Sequence, residues 1–102
     1  MSYRLSPSAE KDLFDIWEYT ISTWGEAQAE KYLQMLDARF VNLAEEPQRG
    51  KVRDDILSDF YSYHEGRHVI FYTIHGNQIA IARILHERMD LASHLKKDSG
   101  NF

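Results

Sequence analysis

The sequence predicts an α+β domain in which two helices pack on one face of a small, mainly antiparallel sheet. Three observations lead to this prediction. Apolar residues recur at intervals of three and four between residues 9 and 46. Runs rich in β-branched and aromatic residues follow between 60 and 85, and Gly76-Asn77 is the turn pair of a tight hairpin. The expected order is β-α-α-β-β-β with a terminal helix, in a single domain covering residues 1–102.

The first elements are a short strand at Tyr3–Leu5 and a helix that begins after Ser6. Proline suits the first helical turn because its missing N–H has no helical partner there, and a serine hydroxyl caps free amides. The helix is predicted to continue to Gly25, which breaks it. The apolar residues assigned to its inner face are Ala9, Leu13, Ile16, Trp17, Ile21 and Trp24.

The second helix is predicted over residues 26–46, with Pro47 and Gly50 ending it. The short connection at Gly25 indicates an antiparallel helical hairpin. The second helix also carries apolar residues away from its main apolar face, namely Tyr32, Met35 and Val41. These residues fit either a wide stripe packed on the sheet or a groove for a partner helix.

Three strands are predicted after the charged connector 47–56: residues 60–64, 67–74 and 79–85. The last run is apolar on both faces apart from Arg83, which favours an inner position in the sheet. A short helix over residues 90–97 is expected to turn Leu91 and Leu95 inward.

Composition and charge narrow the class of protein. The sequence contains no cysteine, which excludes disulfides and thiolate metal sites. It shows neither a cleavable apolar leader nor a run long enough to span a membrane, so we expect a cytoplasmic protein. Residues 8–46 hold nine acidic and three basic side chains, a formal charge of −6. This acidic half disfavours a nucleic-acid binder because it repels phosphate.

Residues that could perform chemistry are few. The five histidines (His64, His68, His75, His86, His94) lack the spacing that a metal site needs, so no metal or other cofactor is expected. His86 with Arg83 could act in metal-free RNA cleavage as an acid or base beside a phosphate-binding cation. Alternatively, Arg83 forms a structural ion pair, for which Asp90 or Asp54 and Asp55 are the candidate partners. We expect the Asp90 contact, which would anchor the C-terminal segment.

Five pieces of sequence occur together in an order that is typical of one family. They are "DIWEYT" at 15–20, "WG" at 24–25, "LAEEPQRG" at 43–50, "HVIFY" at 68–72 and "RILHERMD" at 83–90. In this order, and across residues 3–95, the chain resembles the ParE toxins of the RelE/ParE superfamily, which belong to type II toxin–antitoxin systems of the plasmid stabilisation type.

The resemblance implies a toxin that inhibits DNA gyrase without catalysis of its own, and a hetero-oligomer with a neutralising ParD-like antitoxin. It implies no membrane partner and no direct, specific nucleic-acid binding. The RelE branch of the superfamily cleaves mRNA on the ribosome, with basic residues on the strands and a tyrosine near the C-terminus. This sequence has Ser62 and His64 on the corresponding strand and no tyrosine after Tyr72, which favours the ParE branch.

The predicted site residues therefore have binding roles, and no catalytic residue is assigned. Residues expected to contact the target are Arg83, His86, Arg88, Lys96 and Lys97. Residues expected to contact the antitoxin are Phe14, Tyr32 and Met35. A RelE-type mRNA interferase and a non-toxic homologue that only binds its antitoxin are the alternatives.

Overall fold

A computed structural model describes residues 2–97 and has the predicted order of elements, with one additional short strand. The strands and helices are β1 (Ser2–Leu5), α1 (Pro7–Trp24), α2 (Glu26–Glu45), β2 (Lys51–Val52), β3 (Tyr61–Glu65), β4 (His68–His75), β5 (Gln78–His86) and α3 (Leu91–Lys97). A single 3₁₀ turn at Pro47–Arg49 follows α2. The strand β2 lies within the segment predicted as a connector. None of the helices in residues 2–97 is long and apolar enough to cross a membrane.

The five strands form one sheet in the order β1-β5-β4-β3-β2. β1 runs parallel to β5, and every other neighbouring pair is antiparallel. β5 lies between β1 and β4, in agreement with the inner position predicted from its apolar character. The β4–β5 hairpin turns at Gly76, whose φ of 61° lies in the left-handed region that glycine adopts without strain.

The helical hairpin covers one face of the sheet, as predicted. Ser6 begins α1, because its Oγ accepts a hydrogen bond from the Ala9 amide at 3.0 Å and donates one to the Ala82 carbonyl at 2.7 Å. Gly25, with a φ of 93°, separates α1 from α2. The core between hairpin and sheet is made of side chains from both layers, including Ile16, Leu36, Phe40, Leu43, Ile70, Tyr72, Ile79, Ile81 and Ile84.

The short helix α3 covers the opposite face of the sheet. Leu95 is fully buried in a second core with Phe71 and Leu85, and Leu91 packs against the same cluster. The prediction that Leu91 and Leu95 face inward is confirmed. Burial of a leucine side chain contributes about 1.5–3 kcal/mol, so these two residues hold the C-terminal segment against the sheet.

The strand β5 contains an irregularity next to Arg83. Tyr72 pairs with Ile81, whereas its neighbour Phe71 pairs with Arg83, so Ala82 is an extra residue in the ladder. On the other side of β5, pairing with β1 stops at Leu5. The chain turns there into α1, and the last residues of β5 therefore lie beside the first turns of that helix rather than beside a strand.

Candidate functional site

Arg83 forms a bidentate ion pair with Asp12 of α1. Its Nε donates to one carboxylate oxygen at 2.7 Å and its Nη2 donates to the other at 2.9 Å. The first oxygen also accepts the backbone N–H of Ile84 at 2.9 Å. The two side chains are only 13% and 11% exposed. One carboxylate thus neutralises the guanidinium and satisfies a backbone donor that has no strand partner.

The expectation that Asp90 or Asp54 and Asp55 would pair with Arg83 is therefore wrong. Asp90 accepts the backbone N–H of Ser93 and caps α3 instead. Asp55 pairs with Arg53, which holds the pKa of that carboxyl below its usual value. Arg83 fastens β5 to α1, and within residues 2–97 its ion pair is with Asp12 rather than with Asp90. The physical reason is that α1 starts directly above the end of β5 and brings Asp12 within reach of both donors.

His68 and Tyr32 join α2 to the edge of the same region. The Tyr32 hydroxyl lies 2.6 Å from His68 Nδ1 and accepts the Arg67 backbone N–H at 3.0 Å. Burial and the neighbouring His86 lower the pKa of His68 to about 4, although Asp12 and Glu87 act in the opposite direction. Burial raises the pKa of Tyr32. His68 is consequently neutral at pH 7, and its Nδ1 accepts a hydrogen bond from the Tyr32 hydroxyl.

The remaining histidines near the end of β5 also have neighbours. The rings of His86 and His68 lie 5.3 Å apart in an edge-to-face arrangement, and His86 Nδ1 accepts the Arg88 backbone N–H at 3.1 Å. His64 Nε2 lies 2.7 Å from a carboxylate oxygen of Glu87. Within residues 2–97, no group of three or more His, Asp or Glu side chains is arranged to hold a metal ion.

The contacts of His68 and Arg83 suit fastening better than acid–base catalysis. A general acid or base works best with a pKa near 7, whereas an imidazole with a pKa of about 4 carries its proton in on the order of one molecule in a thousand at pH 7. The Arg83 guanidinium, which could have held a phosphate, is directed at Asp12. The geometry thus describes a polar junction in which Asp12 joins α1 to β5 and Tyr32 joins α2 to β4.

The five residues predicted to contact a target separate into two groups. Arg83 is held in its ion pair with 13% of its side chain exposed, and His86 is half-buried. Arg88 lies exposed in the turn after β5, and Lys96 lies exposed on α3. Lys97 is the last residue of α3, and its side chain lies outside the described part of the structure. Their role in target binding stays a prediction.

The three residues predicted to contact an antitoxin also lie apart. Phe14 projects from α1 and is 60% exposed. Tyr32 and Met35 are half-buried on α2 and packed against the core. Both approach the β3–β4 turn closely, since a Cβ built on Gly66 would meet the Tyr32 hydroxyl at 2.7 Å and the Met35 methyl at 3.0 Å. Phe14 is therefore the member of this set that offers a large open surface.

A row of apolar side chains on α1, which we call the α1 stripe, combines Phe14, predicted to contact the antitoxin, with three residues predicted to face the core. The α1 stripe consists of Phe14, Trp17, Ile21 and Trp24. Trp24 is 71% exposed, and Trp17 and Ile21 are half-buried. The signal that could have revealed it is the 3-4-3 spacing of these four residues, which is distinct from that of Ala9, Leu13 and Ile16. An exposed row of this kind marks a binding surface more often than isolated exposed residues do.

Residues 3–91 match the profile of a family described as the ParE toxin of the type II toxin–antitoxin system, parDE. The match includes the whole hairpin, all of the sheet except Ser2, and the Arg83–Asp12 pair. The chain belongs to the ParE toxin family. The resemblance inferred from the five sequence pieces is confirmed by this match.

Named ParE relatives align with nearly the whole chain. Toxin ParE1 of Caulobacter vibrioides is 38% identical over 93 residues, which cover 91% of this chain and 96% of the relative. Toxin ParE1 of Mycobacterium tuberculosis is 37% identical over 94 residues, with the same two coverages. Toxin ParE of Escherichia coli is 32% identical over 95 residues, which cover 92% of each chain.

A chain of a solved structure has the same fold. A chain from the chromosomal ParDE TA system of P. aeruginosa superposes with a TM-score of 0.73, covering 84% of this chain and 95% of its own length. The two sequences are 20% identical, so the similarity shows a shared fold. The predicted α+β architecture, with a helical hairpin on a mainly antiparallel sheet, is thereby confirmed.

Proposed function

We propose that this ParE family member is a toxin that binds and inhibits DNA gyrase, and that a ParD-like antitoxin neutralises it in a hetero-oligomer. The observation that carries the proposal is the family match over residues 3–91, supported by relatives named as ParE toxins. Because gyrase acts on the bacterial chromosome, the proposal also places the protein in the cytoplasm. It includes neither a membrane partner nor specific nucleic-acid binding by the toxin alone.

The chemistry at the end of β5 supports inhibition by binding rather than by RNA cleavage. Metal-free RNA cleavage needs a base, an acid and a cation for the developing phosphorane charge. The low pKa of His68 makes it a poor acid at pH 7, and the Arg83 guanidinium is held by Asp12. A protein whose polar groups are engaged in this way is better suited to contact a target than to transform a substrate.

The exposed cations near the C-terminal end of the sheet form the proposed target surface. Arg88 and Lys96 lie exposed on the turn after β5 and on α3. Arg83 is proposed to act through the fold, because its ion pair positions β5 against α1. In this proposal Arg88 and Lys96 contact the target, whereas Arg83 supports the fold.

The antitoxin is proposed to cover apolar surface that the toxin leaves open to solvent. Phe14 and Trp24 are 60% and 71% exposed on a single helix. Large aromatic side chains at this exposure are typical anchors of protein interfaces. A toxin with such a surface should be poorly soluble alone and more soluble in its complex.

Two assays on the purified protein test this function together. The first measures gyrase supercoiling and the accumulation of cleaved DNA, with and without the antitoxin. The second measures ribosome-dependent mRNA cleavage. We expect gyrase inhibition at sub-stoichiometric to stoichiometric levels, its reversal by the antitoxin, and intact mRNA. Codon-specific mRNA cleavage that His86→Ala abolishes would instead identify an interferase.

A third outcome would identify a homologue without toxicity. In that case the protein would bind its antitoxin while neither assay responds, and regulated expression without the antitoxin gene would leave growth unchanged. Heat-denatured protein serves as the control for non-specific interference in the gyrase reaction.

A further inference from the structure

The outer edge of β4 is open over its last three residues. The strand β3 pairs with β4 only as far as Tyr61, which lies opposite Tyr72. The strand β4 continues to His75 and pairs there with β5. Residues 73–75 therefore have a strand on one side and, within residues 2–97, none on the other. Because alternate residues of a strand direct both backbone groups to the same side, this segment offers unpaired N–H and C=O groups to a further strand.

The open edge lines a cleft of about 750 Å³, which we call the β4 cleft. The other residues that line it come from the 3₁₀ turn, β2, the connector and the start of β3, and they include Gln48, Val52, Asp54, Asp59 and Tyr61. Three residues of a strand extend over about 10 Å. The edge is therefore long enough to pair with a short extended peptide.

Contacts within the protein hold the walls of the β4 cleft in place. Tyr61 stacks on Tyr72 with ring centroids 5.5 Å apart, and its hydroxyl donates to Gln48 Oε1 at 3.3 Å. The connector is attached to β3, because the Arg53 guanidinium donates to Ser62 Oγ at 3.2 Å. A site whose walls are already ordered costs little conformational entropy when it binds a partner.

Two carboxylates determine the charge of the β4 cleft. Asp54 and Asp59 are exposed, and within residues 2–97 neither takes part in an ion pair. The neighbouring cation, Arg53, is paired with Asp55 at 3.1 Å. Among the described residues, no lysine or arginine lines the cleft. The cleft therefore attracts cations and repels phosphate, so it favours a basic protein segment over a nucleic acid or an anionic membrane.

We propose that the β4 cleft binds a short extended segment of a basic protein partner. The backbone of that segment pairs with the open edge of residues 73–75, and one of its lysine or arginine side chains contacts Asp54 or Asp59. Main-chain hydrogen bonds supply affinity in such strand addition, and the side chains supply specificity. The site is separate from the hairpin surface proposed for the antitoxin and from the target surface at Arg88 and Lys96. It does not depend on gyrase inhibition.

The experiment measures the Kd of three peptides by thermophoresis of the purified protein, labelled at its N-terminus. The peptide acetyl-TKTRT-amide is basic and rich in threonine, which favours extended structure. We expect it to bind with a Kd on the order of 100 µM. The acidic peptide acetyl-TETDT-amide should bind about tenfold more weakly or worse. A fully N-methylated TKTRT peptide keeps both charges but cannot donate main-chain hydrogen bonds, and it should lose affinity by about the same factor.

Two double variants with the same change in net charge locate the binding site. Asp54→Asn with Asp59→Asn should raise the Kd of the TKTRT peptide about tenfold. The fold should be retained, because asparagine keeps the side-chain acceptor for the Asp59 backbone N–H and tolerates the positive φ of 71° at position 59. The control, Glu26→Gln with Glu30→Gln, removes two exposed charges from α2 and should leave Kd within about twofold. Melting temperature should be unchanged in both.

Each result supports or rejects the β4 cleft as a binding site. Absence of binding by the TKTRT peptide up to about 5 mM would reject it. Equal affinity of the N-methylated peptide would indicate a site for any small cation, and equal affinity of the variant with both asparagines would place the peptide elsewhere. Saturation with the antitoxin should leave the Kd unchanged; displacement of the peptide would assign the edge to the antitoxin interface and reject a separate site. Gyrase inhibition is measured independently, so its failure would leave this site standing.

Discussion

Replacement of Asp12 by alanine should destabilise the protein by about 3 kcal/mol. The carboxylate accepts two bonds from Arg83 and one from the Ile84 backbone N–H. The two side chains are 13% and 11% exposed, so the pair behaves more like a buried pair than a surface one. Loss of one partner from a buried pair costs about 3–5 kcal/mol, because the other charge remains desolvated. We expect the lower end of this range for Asp12→Ala because the side chains of Asp12 and Arg83 keep some contact with solvent.

Equilibrium urea denaturation followed by circular dichroism measures this change. A loss of about 3 kcal/mol should also lower the melting temperature by roughly 12–24 °C in a domain of this size. Arg83→Ala should be destabilised to a similar extent. The matched control is Asp15→Ala, which removes the partner of Lys11 from a pair whose side chains are 76% and 58% exposed. That change should cost less than about 0.5 kcal/mol.

Two results would refute the reasoning. The first is a loss below about 1 kcal/mol for Asp12→Ala, which would mean that solvent replaces the carboxylate easily. The second is an Arg83→Ala variant that stays stable and binds the antitoxin but no longer inhibits gyrase. Such a variant would move Arg83 from the support of the fold to the target surface.

Three further predictions concern pH, target contact and a turn. The pKa of His68 is lowered from 6.5 to about 4 in the folded protein, so the unfolded chain binds the proton at a higher pH than the folded chain does. The free energy of unfolding should therefore fall as the pH drops from 6.5 to 4. In urea denaturation, His68→Gln should reduce this fall by about 1–2 kcal/mol, a value lowered to allow for the partial exposure of the ring to solvent. Arg88→Ala and Lys96→Ala should weaken gyrase inhibition in the supercoiling assay, and Arg88→Ala should do so without any change in melting temperature. Gly66→Ala should lower the melting temperature more than Gly76→Ala. Both glycines have a φ of 61°, but only at position 66 would the new Cβ meet a tyrosine hydroxyl. Equal losses of melting temperature would show that the contact at position 66 is relieved at no cost.

The elements of the fold could be predicted because their signals are local. Ser6 with Pro7 marked the start of α1, Gly25 marked the hairpin, and the β4–β5 turn followed from Gly76. The two-residue strand β2 was missed because such a short segment has no periodicity. The parallel pairing of β1 with β5 was also beyond the sequence analysis, since these strands lie at opposite ends of the chain.

The partner of Arg83 shows why contacts are harder to predict than elements. The sequence indicated that a cation inside a strand needs a carboxylate, and the structure contains one. The sequence offers several carboxylates near Arg83, and Asp90 was expected as the partner because it is close along the chain. The true partner, Asp12, is 71 residues away. Its position depends on where pairing with β1 ends and where the extra residue Ala82 displaces the ladder, and both are properties of the assembled sheet.

The α1 stripe illustrates the opposite case, because its spacing is visible in the sequence but was merged with that of the apolar row that faces the sheet. Ala9, Leu13 and Ile16 form the row that faces the sheet, whereas Phe14, Trp17, Ile21 and Trp24 form a second row on the same helix. Both rows have helical periodicity, so one broad apolar face accounts for them equally well in sequence. Burial separates them, because a helix that only supports a fold has no need of a tryptophan that is 71% exposed. The separation also predicts independent effects: Asp12→Ala should change stability with antitoxin affinity intact in the folded fraction, whereas Trp24→Ala should change affinity with stability intact. A variant of either residue that alters both properties together would show that the fold and the binding surface of α1 are coupled.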